Sequence, residues 1–114
     1  MAQITTLWFV FRLKEGDILN CSMATLNRDA ARQRMLDVAE NDIDDDTVWY
    51  RLTKYHYQGI LNAPTKIHIA VRLEDMNFYS LRIEAVTDQY AVMPSYIRDD
   101  ENEDDFWVEE VEIN

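Results

Sequence analysis

Glycine and proline are scarce in this chain, two of each in 114 residues, which excludes collagen-like and Gly/Pro-rich disordered architectures. A single cysteine, Cys21, cannot close an internal disulfide, so the fold has no need of an oxidising compartment. No run approaches the ~20 apolar residues of a membrane-spanning helix. The apolar stretch from Ile4 to Leu13 is broken by Thr5, Thr6 and Arg12 and has no basic segment before it, unlike a secretory signal. The expectation is a cytoplasmic protein away from membranes, in a host cytoplasm if the chain is viral. Phosphate-cradling patterns are absent, and internal repeats are absent too. No cofactor is expected.

Positive charge is also short. Eleven Lys and Arg oppose 22 Asp and Glu, a net charge of −11. Phosphate binding needs a cationic face, so direct nucleic-acid binding through bulk charge is excluded. An anionic membrane surface is disfavoured for the same reason.

What is present is concentrated acid. Glu40 to Asp46 holds five carboxylates and no base, and Asp99 to Glu112 holds nine and no base. The other 93 residues carry eight acids against 11 bases. The chain therefore reads as a near-neutral body, residues 1–98, followed by an acidic C-terminal segment, 99–114, able to dock as a last strand. A second acidic loop interrupts the body. Like-charge blocks are commonly solvated loops. The C-terminal block differs in containing Phe106, Trp107, Val108, Val111 and Ile113, residues that dock or anchor a partner.

The pattern along the chain points to an α+β domain. It predicts an antiparallel sheet of about five to seven strands with one amphipathic helix packed on one face. Ile4–Leu13 reads as a strand buried on both faces at Leu7–Phe11, turning at Lys14–Asp17 into a returning strand, Ile18–Ala24. Asn27 is placed to cap a helix over Arg28–Glu40, whose apolar stripe is Ala31, Met35, Val38 and Ala39, widened by Leu36. Thr47–Gln58 is an aromatic strand. Lys66–Leu73 and Tyr79–Ala85 alternate as a hairpin about a Glu74–Asn77 turn, in a register that sets either His68 or Lys66 opposite Glu84. The helix is expected to cover Ile67, Ile69, Leu81 and Ile83. Gln89–Met93 and Phe106–Ile113 are further candidate strands.

Little in this sequence suggests catalysis. Cys21 with His56 or His68 lacks any setting that would lower the thiol pKa. His56 and His68 are not at ligand spacing, and no second cysteine exists for a zinc site. Asp42, Asp44 and Asp46 fit the first three ligand positions of a calcium loop, but Thr47 and Thr53 occupy the positions that need Gly and Glu. A frame starting at Asp99 reaches Glu110 at the last position but has Asp104 in place of the glycine. No metal site is expected. Trp49, Tyr50, Arg51, Lys54, Tyr55, His56 and Tyr57 make a basic–aromatic strand able to stack bases, but a core or protein-interface role suits it better.

The expected function is that of a non-enzymatic inhibitor or nucleic-acid mimic, of the size and charge found among viral and mobile-element proteins. It would occupy the basic surface of a nucleic-acid-handling protein. Duplex DNA carries one charge per ~3.4 Å of each strand. Asp99–Glu112 fully extended would span ~43 Å, with a carboxylate every ~5 Å, so it matches DNA only if the Glu40–Asp46 loop lies alongside. The candidate partner-binding residues are Asp42, Asp44, Asp45, Asp46, Asp99, Asp100, Glu101, Glu103, Asp104 and Asp105, with Phe106 and Trp107 as apolar anchors. The alternative is a structural or assembly subunit, possible as a homo-oligomer, that uses its aromatic strands as an interface.

Overall fold

The computed structural model describes residues 3–14, 17–42, 48–73, 81–98 and 106–114, the side chains of Asp17, Leu19, Trp49 and Leu73 excepted. Strand β1 (Ile4–Lys14) lies between β2 (Asp17–Thr25) and β3 (Val48–Gln58). Leu7, Phe9, Phe11 and Leu13 of β1 are buried on one face, and Val10 is fully buried on the other. A strand covered on both sides reads this way, as a near-continuous apolar run. β1 pairs with β3 over eleven residues without a register shift, whereas β1 and β2 slip at Val10/Phe11 and again at Arg12/Leu13.

β4 (Thr65–Leu73), β5 (Leu81–Thr87) and β6 (Trp107–Ile113) complete a six-stranded sheet in the order β3-β1-β2-β6-β4-β5. The expectation of an antiparallel sheet needs correcting, because the sheet is mixed. β6 is antiparallel to β4 but runs parallel to β2, pairing with it at Ala24 and Ile113. The chain's route explains this. β5 ends at one end of the sheet. Residues 88–98 then carry the chain back along the outer face, so β6 enters from the end at which β2 began.

The sheet curls, and its inner faces enclose one core. Leu7, Phe9, Phe11 and Leu13 meet Ile67, Ile69 and Val71 of β4, Leu81, Ile83 and Val86 of β5, and Ile113 of β6. Curling stops short of closure, since β3 and β5 remain the two edges. The helix expectation also needs correcting. Helix α1 (Arg28–Asn41) does not cover Ile67, Ile69, Leu81 and Ile83, whose cover is the opposite half of the sheet. α1 follows β2 after only Leu26 and Asn27 and so packs on the outer face of β1–β3, at one side of the sheet. Its stripe is thin: Ala31 is buried, Met35, Val38 and Ala39 are half-buried, and Leu36 is exposed. Asn27 caps it, its Oδ1 accepting from the Asp29 and Ala30 amides at 2.8 and 3.2 Å.

On the other half, a 3₁₀ turn (Tyr90–Val92) and a one-turn helix α2 (Ser95–Arg98) cover the outer face. The strand expected at Gln89–Met93 is therefore a turn. Met93 and Ile97 have to descend onto Ala70 and Ala85, whose small side chains let the segment approach, with Phe106 packed beside them. The β4–β5 register sets Leu73 opposite Leu81 and His68 opposite Thr87. A bulge at Ala70/Val71 passes over Glu84, so Glu84 faces neither His68 nor Lys66. That bulge lets Ile83 and Val86 point inward while Ala85 points out.

Candidate functional site

Most of the acidic candidates fall outside the described residues: Asp44, Asp45, Asp46, Asp99, Asp100, Glu101, Glu103, Asp104 and Asp105. The Gly16 turn and the Glu74–Asn77 turn fall there as well. The residues that flank these segments are described, and they lie together. Lys14 pairs with both Asp17 and Val48, Val71 pairs with Trp107, and Leu73 pairs with Leu81. β2 and β6 are parallel. The flanks of 15–16, 43–47, 74–80 and 99–105 thus share one end of the sheet. Those four segments hold 12 of the 22 acids and no Lys, Arg or His. The connections at the opposite end, 26–27, 59–64 and 88–89, hold one acid, Asp88.

The described candidates are already engaged. Asp42 accepts from Arg12 Nε and Nη2 at 3.0 and 2.9 Å, a bidentate pair that neutralises a carboxylate placed unfavourably at the C-terminus of α1. Phe106 packs in the outer core, edge-on to Tyr96, with the Arg72 guanidinium over its ring. Trp107 packs against the inner core. The nine carboxylates of Asp99–Glu112 do not form one extended ladder, because the last three lie within β6. Glu109 turns inward, Glu110 sits 3.8 Å from Lys66 and 3.6 Å from His68, and Glu112 remains exposed.

Glu109 was not singled out from the sequence, yet it holds the seam between the two halves. Its Oε2 accepts from the Cys21 amide at 2.8 Å and lies 3.4 Å from Trp107 Nε1. Where β2 and β6 part, a side-chain carboxylate takes the amide that a neighbouring strand would otherwise bond. The available signal was parity. Trp107, Glu109, Val111 and Ile113 alternate on one face, which places an acid in an apolar row.

Beside it, the Cys21 thiol is pushed up to about 12 by burial and then by the Glu109 charge. A thiol held protonated in this way is a poor nucleophile. His56 Nδ1 lies 3.3 Å from Thr6 Oγ1, and His68 faces Glu110, so neither histidine adjoins Cys21. Among the described residues no group of His, Cys, Asp and Glu could hold a metal ion, and no helix is long and apolar enough to cross a membrane.

The basic–aromatic strand divides between two faces. Tyr55 and Tyr57 pack into the inner core. Lys54 lies on the outer face over the Trp8 ring at 5.7 Å, with Arg28 at 5.8 Å from the same ring. Its aromatic and basic groups are thus spread over both faces of the sheet. One further group stands out. Thr53 Oγ1 is buried and, among the described residues, is the one such side-chain atom without a hydrogen-bond partner. Neither a protein-family model, nor a curated protein, nor a solved structure matches this chain.

Proposed function

We propose that this chain is a small non-enzymatic protein that binds a basic surface of a nucleic-acid-handling protein through one acidic end of its sheet. The observation that carries the reading is the shared end of the flanking strands. Four connections that hold 12 acids and no base have their flanks there, and the connections at the opposite end hold one acid. The strands that tether 43–47 and 99–105, β3 and β6, are three places apart in the sheet. With Asp42 and Glu109 engaged internally, the charge offered to a partner resides in Asp44–Asp46 and Asp99–Asp105.

The test is capture of proteins from the native cell at low and high salt, with duplex DNA as competitor. The expected result is a basic protein that DNA displaces and that high salt releases. Changing Asp99, Asp100, Asp104 and Asp105 to Asn and Glu101 and Glu103 to Gln should abolish capture and leave the far-UV spectrum unchanged. Capture indifferent to those substitutions and to salt overturns the reading.

A second reading, an assembly subunit, is favoured by a separate observation: the aromatic strand β3 is an edge of the sheet.

A further inference from the structure

The two edges of the sheet are guarded differently. β5 is seven residues long and bulged at Glu84, whose carboxylate receives Arg82 at 3.0 Å and the Tyr96 hydroxyl at 3.2 Å. Shortness, a bulge and charge are the devices that keep an edge from pairing. β3 is neither short nor bulged, and its charges are Arg51 and Lys54, both exposed. It runs eleven residues without a bulge or proline, and its one lysine lies over Trp8 toward β1.

The phase of β3 follows from one bond. The Gly59 amide donates to Gln3 O at 2.8 Å, in line with the β1–β3 register, so the odd residues of β3 bond β1. Val48, Tyr50, Leu52, Lys54, His56 and Gln58 therefore direct their N–H and C=O groups outward, where no strand among the described residues receives them.

We propose that β3 pairs antiparallel with β3 of a second copy of this chain, about a twofold axis at Thr53. The proposal rests on the assembly reading, not on the acidic-end reading. Thr53 is the midpoint of β3, so this register pairs the whole strand: Val48 faces the partner's Gln58, Tyr50 the partner's His56, and Leu52 the partner's Lys54. Moving the axis to Leu52 leaves two residues of each strand unpaired. Moving it to Lys54 or to Arg51 sets like charges opposite each other, which is destabilising. With the outward groups on even residues, Thr53 falls in a non-hydrogen-bonded pair, where side chains approach most closely, about 4.5 Å between Cα atoms. Opposed β-branched threonines pack against each other at such a site.

Charge agrees with this geometry. The antiparallel twofold sets the acidic end of one copy beside the near-neutral end of the other and keeps the two acidic ends a strand length apart, roughly 36 Å. Each chain still carries −11, so added salt strengthens the dimer. That salt dependence is opposite in sign to the one expected of an acidic end on a basic partner.

The test uses the full chain. Sedimentation velocity should show a monomer–dimer equilibrium that shifts toward dimer with concentration and salt. Thr53→Cys in a Cys21→Ala background should form an intermolecular disulfide under mild oxidation, because the opposed Cα atoms would lie within disulfide reach. Lys54→Pro removes an outward amide without touching the β1 ladder and should weaken the dimer about tenfold or more. A protein that stays monomeric at about 1 mM, a concentration that reveals even weak association, overturns both the pairing and the homo-oligomer reading. A dimer that Lys54→Pro leaves intact, or that a folded Thr53→Cys variant does not cross-link, overturns the β3 pairing alone. If the double variant fails to fold, the proline variant decides.

Discussion

The β3-β1-β2 half of the sheet is covered on its outer face by a 14-residue helix, the β6-β4-β5 half by a three-residue 3₁₀ turn and a single helical turn. The difference follows from what each face presents. Trp8, Val10 and Arg12 of β1 need a broad cover, and α1 supplies it: Arg28 lies over the Trp8 ring, Arg12 pairs with Asp42 at the helix end, and Tyr50 fastens β3 to the helix through the Val38 carbonyl at 3.0 Å. Ala70 and Ala85 present so little that Met93 and Ile97 suffice. Small side chains on a sheet face thus reduce the cover it requires. The halves share their inner core and meet at a seam held by one parallel pair, by Glu109 and by the Thr25 hydroxyl, which donates to the Asn114 carbonyl at 2.9 Å.

The comparison breaks most severely in the shared core. Phe9 is fully buried between the halves, and Phe9→Ala should cost about 3–5 kcal/mol in denaturant titrations. Ile97→Ala, under the thin outer cover, should cost about 2 kcal/mol, the low end for such truncations, because a one-turn helix can settle into the space. Equal costs would mean that the outer core is as tightly built as the inner one.

The seam comes next. Glu109→Ala leaves the Cys21 amide without its acceptor and should cost about 1–3 kcal/mol. Glu109→Gln keeps an acceptor and should recover most of that loss. Hydrogen exchange at the Cys21 amide checks the assignment: it should quicken in the alanine variant and stay slow in the glutamine variant. Unchanged exchange in both would show that the main chain alone holds β2 to β6.

Features set by near neighbours were legible in the sequence. Leu7–Phe11 announced a strand covered on both faces, Asn27 a helix cap, and Ile67, Ile69 and Val71 an inward row. Features set by distant partners were not. The alternation of β6 shows which residues share a face but not that its neighbours are β2 and β4, so neither the parallel pairing nor the central position could be read. The bulge at Glu84 depends on Ala85 turning outward to meet Met93 and Ile97, a demand made by residues several positions later. Acidic runs are plain as composition. That their flanking strands share one end of the sheet depends on five registers and no local pattern.

Cys21 gives the smallest and most specific probe of the seam. Its thiol is pushed up to about 12 from an ordinary value of 9.0, with burial the first cause and Glu109 the second. The sign follows from proton counting. Above pH 9 the unfolded chain has released this proton while the folded chain retains it, so stability falls as pH rises through that window. Between pH 9 and pH 10 the thiol alone should remove about 1 kcal/mol. Lysines and tyrosines also titrate there, so the quantity to measure is the difference between this chain and Cys21→Ala over that interval. Glu109→Gln removes the charge but not the burial, and should reduce the difference only in part. If Cys21→Ala follows the same pH dependence as the parent chain, or if iodoacetamide labels Cys21 at pH 8 as fast as it labels the unfolded chain, then the thiol is not enclosed at the seam and the two halves part more readily than their shared core implies.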